Sequence, residues 1–372
     1  MMKQNDNNLF WVLVRAALGS KYKFCRIPTE KEWNALYKQS LKQAISGVVF
    51  EAIKRLNDKE MKPPFPLLME WIAVCEQIRL QNQKCNQAVI DLYSEFNKEG
   101  FCCCLLKGQG NNLLYPNFFS RVSGDIDLWI TPSNKRFSEK HRKQVCLNFL
   151  RSKYPQGFLH YNHIDAGFYN GIPVEIHHRP RFLNNMIHNK RLQKWISSKR
   201  EEQFRNYVRL PQMEAEIAIP TWEFNVVFQV AHIYGHLLQS GIGLRHLIDY
   251  FYLLKSNERC DNDKEKITKT LCYLGLEKIV EAVMWVLNEI LGLPEEYLIA
   301  PMDERRGKVL LDEIMRGGNF GHFDSDNINA TSRLKMNVQR FKRDLRLMRY
   351  FPSECIWEPW FRVYHLFWRM AH

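Results

Sequence analysis

Between residues 123 and 130 the chain reads Ser-Gly-Asp-Ile-Asp-Leu-Trp-Ile, with two carboxylates two apart inside an otherwise apolar run. In a strand, successive side chains point to opposite faces. Ile126, Leu128 and Ile130 then form an apolar face that must be buried. Asp125, Asp127 and Trp129 share the other face, with the carboxylates roughly 7 Å apart along the strand at its ~3.3 Å rise per residue. Asp-x-Asp is common in turns and at solvated edges, but this pair stands among core-forming residues, not turn formers. Like charges held so close raise each other's pKa unless a cation lies between them. Paired carboxylate oxygens suit Mg²⁺ shared with a substrate phosphate, which points to phosphoryl or nucleotidyl chemistry.

The surroundings set a fold class. Phe101–Leu106 is a short apolar run between Gly100 and Gly108, and 157–165 and 166–176 are expected strands. Asn170-Gly171 marks a two-residue hairpin that places Glu175 and His177 on one face. A short helix is expected over 109–115 and a longer one over 133–154. Before residue 100 the pattern is helical: Thr29-Glu30-Lys31-Glu32 is a capping box, and a long helix is expected over 67–97, stopped by Gly100. After residue 181 the periodicity predicts helices over 222–240, 243–256, 263–273, 277–291, 304–316 and 332–350, with a last one after Pro359 and a loop over 317–329. The expected architecture is α+β: a small α/β core over 100–180, between an N-terminal helical region (1–99) and a C-terminal helical region (181–372).

At 372 residues and 45% hydrophobic the chain can bury a substantial core, which excludes disorder. A net charge of +13 suits polyanionic partners or an anionic surface, although the Lys and Arg residues are also scattered over expected helix faces; the densest basic stretch is Arg333 to Arg349. The ten cysteines include no Cys-x-x-Cys spacing and read as small core residues of a reducing compartment. No run of 18 apolar residues predicts a membrane span. The apolar stretch Leu9–Val14 is cut by Arg15 and lacks a signal peptide's leader and cleavage site, so a cytoplasmic location is expected.

The order Leu106-Lys107-Gly108, Tyr115-Pro116, Arg121, Gly124-Asp125-Ile126-Asp127-Leu128 and Val174-Glu175-Ile176-His177 resembles the uncharacterised bacterial nucleotidyltransferases of the DNA polymerase β superfamily. The resemblance extends to Ala231-His232, His236 and Leu247-Ile248-Asp249, covering about residues 85 to 260. The chain departs from the superfamily's usual Gly-Ser or Gly-Gly turn: Gly108 follows Lys107 and precedes Gln109, and the spacing to Asp125 is longer. The resemblance implies a compact mixed-sheet nucleotidyltransferase core with helices, and transfer of a nucleoside monophosphate from an NTP such as ATP to a hydroxyl acceptor, with release of pyrophosphate. It implies Mg²⁺ (or Mn²⁺) held by Asp125, Asp127 and Glu175, as two ions about 3.5–4 Å apart. Glu175 would be a ligand or the base for the incoming hydroxyl. Gly108 would allow close backbone approach at a phosphate-binding turn, and Lys107 and Arg121 would neutralise the β- and γ-phosphates or make structural ion pairs. Ser123 would donate to phosphate or cap a turn, and His177 would contact the site or be structural.

His232 and His236 lie four apart on one helix face, with His246 and Asp249 following. This allows a Zn²⁺ site, although the Glu of a zincin helix is missing, or a helix packed beside the core. Trp357, Trp360, Phe361, Phe367 and Trp368 suit a packing face. Two other functions stay open: a catalytically silent nucleotide- or nucleic-acid-binding module of the same fold, and a hydrolase centred on His232 and His236. The acceptor (small molecule, protein or RNA), the preferred base and the oligomeric state are not legible.

Overall fold

The structure is a computed structural model that describes residues 8–20, 24–239, 241–256, 263–319 and 333–371. The N-terminal arm holds α1 (Leu9–Ala17), α2 (Glu30–Lys42), α3 (Ser46–Lys54) and α4 (Phe65–Lys98). The capping box forms as expected: Thr29 Oγ1 accepts from the Glu32 amide, and Glu32 accepts from the Thr29 amide at 2.8 Å. Pro66 falls in the first turn of α4, where its missing N–H costs nothing. The 34 residues of α4 span roughly 50 Å at 1.5 Å each, and the chain leaves the helix through Gly100 at φ +84°.

Five strands form one mixed sheet: β1 (Phe101–Leu106), β2 (Ile126–Pro132), β3 (Phe158–Leu159), β4 (His163–Tyr169) and β5 (Ile172–His177), in spatial order β1-β2-β5-β4-β3. Only β2 and β5 run parallel. The β4–β5 turn has Asn170 and Gly171 both at positive φ, as a type I′ turn requires. A short helix, α5 (Gly108–Asn112), follows β1, and α6 (Glu139–Lys153) joins β2 to β3. Ser138 caps α6, so this helix starts later than the expected 133.

One sheet face carries Leu105, Ile126, Leu128, Ile130, Val174 and Ile176 and packs on Val89, Leu92 and Phe96 of α4 and Leu147 and Leu150 of α6. This is the apolar face read from the sequence. The opposite face is not solvated: all seven residues of β2 are buried. Trp129 lies 4.7 Å from Phe204 and 5.8 Å from Phe224, ring centre to ring centre.

The C-terminal part holds α7 (Met186–Gln203), the hairpin β6 (Tyr207–Arg209) and β7 (Glu216–Ala218), α8 (Trp222–Gln239), α9 (Leu244–Lys255), α10 (Asp263–Tyr273), α11 (Glu277–Trp285), α12 (Glu304–Gly317), α13 (Arg333–Met348) and α14 (Pro352–Ala371). Helix α7 and the β6–β7 hairpin escape the sequence reading, because α7 is largely polar and the strands are only three residues long. After Trp285 the chain passes into a π-helical turn, Val286–Ile290, where a continuous helix is expected. Helix α14 begins at Pro352, not after Pro359; Pro359 sits inside it. The loop expected over 317–329 falls largely outside the described residues.

A single apolar cluster joins Trp33, Val49 and Trp71 of the N-terminal arm to α8, α9, α11 and α12. Gln43 ties the two arms: its Nε2 donates to the Ile314 carbonyl at 3.0 Å, and its Oε1 accepts from the Leu244 amide at 2.9 Å. The sheet is held between arms that contact each other. No helix among the described residues is long and apolar enough to cross a membrane.

Candidate active site

The parallel pairing of β2 with β5 builds the site. Asp127 is in register with Glu175, and Asp125 is the residue that enters β2. One oxygen from each of Asp125, Asp127 and Glu175 lies within 4.8 Å of the others. Asp127 is 1% exposed, so its charge needs local compensation. Lys107 Nζ lies 2.9 Å from Asp127 Oδ1. His177 Nε2 lies 2.9 Å from the same oxygen and 3.4 Å from Glu175 Oε2. His163 Nε2 is 3.5 Å from Glu175 and 3.2 Å from Asp165.

These contacts fix the protonation states. Burial lowers the Lys107 pKa, but the charges of Asp127, Asp125 and Glu175 carry it above its ordinary value. Burial also opposes the charged form of His177, yet its hydrogen bonds to Asp127 and Glu175 bring its pKa up to about 9. For Glu175, burial pushes the carboxyl up, and the His177 hydrogen bond with the charges of His163 and His177 brings it down to about 2. Near neutral pH the ionised Glu175 thus faces the imidazolium of His177, with the Lys107 ammonium beside it.

This pattern predicts a pH dependence for the ion-free protein. The folded pKa of His177 lies above its unfolded value of 6.5, so its contribution is complete below pH 6.5 and is lost as pH rises towards 9. The loss is about 3 kcal/mol across that window, at 1.36 kcal/mol per pKa unit. Urea unfolding in EDTA at pH 6.5 and pH 9 measures it; His177→Gln is expected to flatten the difference, and a wild-type stability that does not fall would disprove the pairing.

The sharp turn after β1 aims Lys107. Lys107 has φ +55° and ψ −144°, a backbone conformation that non-glycine residues adopt at a cost of order 1–3 kcal/mol. Gly108 follows at φ +48° and opens α5. The strain sits where an ammonium is directed at the carboxylates.

Arg121 and Ser123 are engaged elsewhere. Arg121 Nε and Nη2 donate to Asp249 Oδ1 and Oδ2 at 2.7 and 2.8 Å, and Nη1 donates to Asn112 at 3.1 Å. Tyr115 Oη adds a 2.5 Å hydrogen bond to Asp249. Ser123 Oγ donates to Asn82 Oδ1 of α4 at 2.5 Å. Both side chains thus fasten the loop before β2 to neighbouring helices. His178 points the other way from His177, and burial holds it neutral.

His232, His236 and His246 place one ring nitrogen each within 4.8 Å of one another. Burial depresses all three pKa values, that of His246 to about 3, so the rings are neutral. The charges acting on them include Lys107, Arg181 and Arg245. A dication among these rings would meet that positive field, whereas an anion would be drawn to it. His232 and His246 line a small cavity of about 20 Å³ together with Lys107, Gly108, Asp125, Asp127 and Arg245. That volume is enough for about one water or a single ion.

The sequence reading omits His163, Asn82, Arg181 and Arg245. His163 was within reach of a pattern argument, because it faces His177 across the β4–β5 hairpin. The others come from helices or loops distant in sequence, with no local signal.

No curated protein sequence matches the chain. Among solved structures, a nucleotidyltransferase-like antigenic protein from Paracoccidioides brasiliensis aligns over 59% of this chain and 95% of its own, at 11% identity and a TM-score of 0.32. The sequence profile described as "uncharacterised nucleotidyltransferase" matches residues 29–292, which takes in the long helix, the whole five-stranded sheet and the paired histidines of α8. With that span, well over half its length, the chain belongs to the uncharacterised nucleotidyltransferase family.

Proposed function

We propose that the protein transfers a nucleoside monophosphate from an NTP to a hydroxyl acceptor, with pyrophosphate released. One observation carries this reading: Asp125, Asp127 and Glu175 converge through the β2–β5 register, with Lys107 on the central carboxylate. Their all-oxygen donor set fits Mg²⁺ or Mn²⁺. The divalent ion, when bound, supplies Lewis-acid stabilisation of charge at the transferring phosphoryl group.

The chain's own groups do the rest. Glu175, with a pKa near 2, stays ionised and is a poor proton acceptor, which suits a ligand better than a general base. Lys107 and the imidazolium of His177 hold Asp127 in place. Lys107, His232, His246 and Arg245, around the small cavity, offer positive charge and N–H donors to a phosphate oxygen that enters it. Arg121 serves as the anchor of the loop that presents Asp125.

The silent binding module is the weaker reading. Three carboxylates within 4.8 Å repel one another and bring a nucleotide's phosphates no attraction of their own. A hydrolase at the three histidines is disfavoured by the cations around them. Isothermal calorimetry tests the proposal: NTP binding is expected with Mg²⁺ or Mn²⁺ and to be at least ~10-fold weaker in EDTA, and metal-independent binding of equal strength would refute it. The acceptor is to be sought by incubating each of four labelled NTPs with cell-extract fractions.

A further inference from the structure

Past the Trp129–Thr131 end of β2 lies a second cleft of about 1040 Å³. Its walls are α6, α7, the His178–Pro180 segment and the Phe361 and Tyr364 side chains of α14. Besides Arg142 and Arg200, both paired with Glu139, five cations line it: Lys140 and Lys143 on α6, Arg179 after β5, and Lys190 and Lys194 on α7. Its single acidic side chain is Glu139, and Arg200 pairs with that carboxylate. Among the described residues, none of the five cations makes an ion pair within 4.0 Å. Burial, and then the charge of Arg179, brings the Lys143 ammonium down to about 8. Cations gathered into a concave surface without counter-ions repel one another, and an anion relieves that repulsion.

We infer that this cleft binds a single-stranded nucleic acid and presents its terminal hydroxyl to the carboxylate site. The inference rests on the transferase reading for what happens at that end. A small phosphorylated acceptor fits less well, because the volume reaches the top of the ~300–1,000 Å³ typical of small-molecule pockets. The cations are also spread over two helices and a loop, as a backbone of several phosphates requires. Tyr161 and Phe361 are buried in its wall, whereas Tyr364 is 38% exposed, so Tyr364 and the Arg179 guanidinium, stacked 4.3 Å over Tyr161, supply flat surface in the cleft. Aromatic and guanidinium faces of this kind stack unpaired bases. The position fits too: Trp129 follows Asp127 by two residues, roughly 7 Å along the strand.

In the step this implies, the terminal hydroxyl oxygen bonds to the α-phosphorus of the NTP. The bond from the α-phosphorus to the bridging oxygen breaks, pyrophosphate leaves with the electron pair, and the hydroxyl proton passes to solvent.

Fluorescence anisotropy with labelled 12-nucleotide RNA and DNA strands tests the inference on the full chain. The wild type is expected to bind with a log K against log salt slope of about −3.5, the value for five neutralised phosphates on a single strand. Lys143→Glu/Lys194→Glu is expected to weaken binding about 10-fold or more and to flatten the slope by about 1.4, while Mg²⁺–NTP calorimetry is unchanged. The milder Lys143→Gln/Lys194→Gln, should the first variant misfold, must weaken binding in the same direction by about 3-fold. Unaltered binding by the variants, or none by the wild type, overturns the inference, as does a cleft that takes up only inorganic pyrophosphate. If oligonucleotides bind but Mg²⁺–NTP does not, the transferase reading fails and the nucleic-acid site stands.

Discussion

Asp127→Asn is expected to lower nucleotidyl transfer by about 10³-fold or more, the scale of removing one preorganised electrostatic contact from a reaction centre. The isosteric amide keeps the shape of the side chain and removes its charge. Asp127 Oδ1 is the shared partner of Lys107 and His177, each at 2.9 Å, inside a buried strand. With the charge gone, two buried cations lean on Asp125 and Glu175 alone. An uncompensated buried charge costs about 3–5 kcal/mol; here the remaining carboxylates and a shift of His177 to its neutral form hold the cost to the lower end. Three readouts separate the effects. Urea unfolding gives the stability change, and steady-state transfer to the identified acceptor gives activity. Histidine NMR titration is expected to show the His177 pKa falling from about 9, since burial then dominates. Oligonucleotide binding by the basic cleft is expected to survive. A variant with full activity would remove Asp127 from the reaction centre; one with unchanged His177 titration would refute the contact.

What the sequence discloses and what it hides follow from the range of the interactions. The Asp125–Ile130 alternation is a local property, and the buried face of β2 matches it. The Asn170-Gly171 turn is equally local and forces Glu175 and His177 to one side. The register between β2 and β5 is not local: it is set across about 50 residues by the apolar faces packing on α4 and α6, and the sequence supplied Glu175 as a partner only through family resemblance. The assignments of Arg121 and Ser123 illustrate the other limit. A basic or hydroxyl side chain beside an Asp-x-Asp reads as a phosphate contact, yet their acceptors come from α9 and α4, and no short-range pattern encodes those pairings. The same limit hid the basic cleft, since its cations come from α6, α7 and the segment after β5, and each looks like a solvated helix face when read alone. Pro359 misplaced the last helix because proline at a helix start and proline within one leave the same signature.

Asp249→Asn is expected to destabilise the protein by about 3–5 kcal/mol, the cost of leaving one member of a buried ion pair unpaired. Arg121 and Asp249 are each 5% exposed at the side chain, and the guanidinium forks onto both carboxylate oxygens. Tyr115 and Asn111 use the same carboxylate, at 2.5 and 3.2 Å, so the amide strands several donors at once. The pair links α9 of the C-terminal arm to the loop that leads into Asp125, and breaking it frees the loop that positions the site. A buried pair replaced on both sides by apolar groups is often neutral. Arg121→Met/Asp249→Leu is therefore expected to cost much less than the sum of its single variants, a coupling read from urea midpoints in a double-mutant cycle. The double variant also decides what Arg121 does. As an anchor, its loss leaves Mg²⁺–NTP affinity close to wild type once stability is restored; as a phosphate ligand, its loss weakens that affinity by about 10-fold or more, because charge-assisted contacts to phosphate are among the stronger hydrogen bonds. A stable double variant with intact NTP binding makes the Arg121–Asp249 bridge architectural and leaves phosphate contact to Lys107, Arg245 and the neutral histidines of α8 and α9.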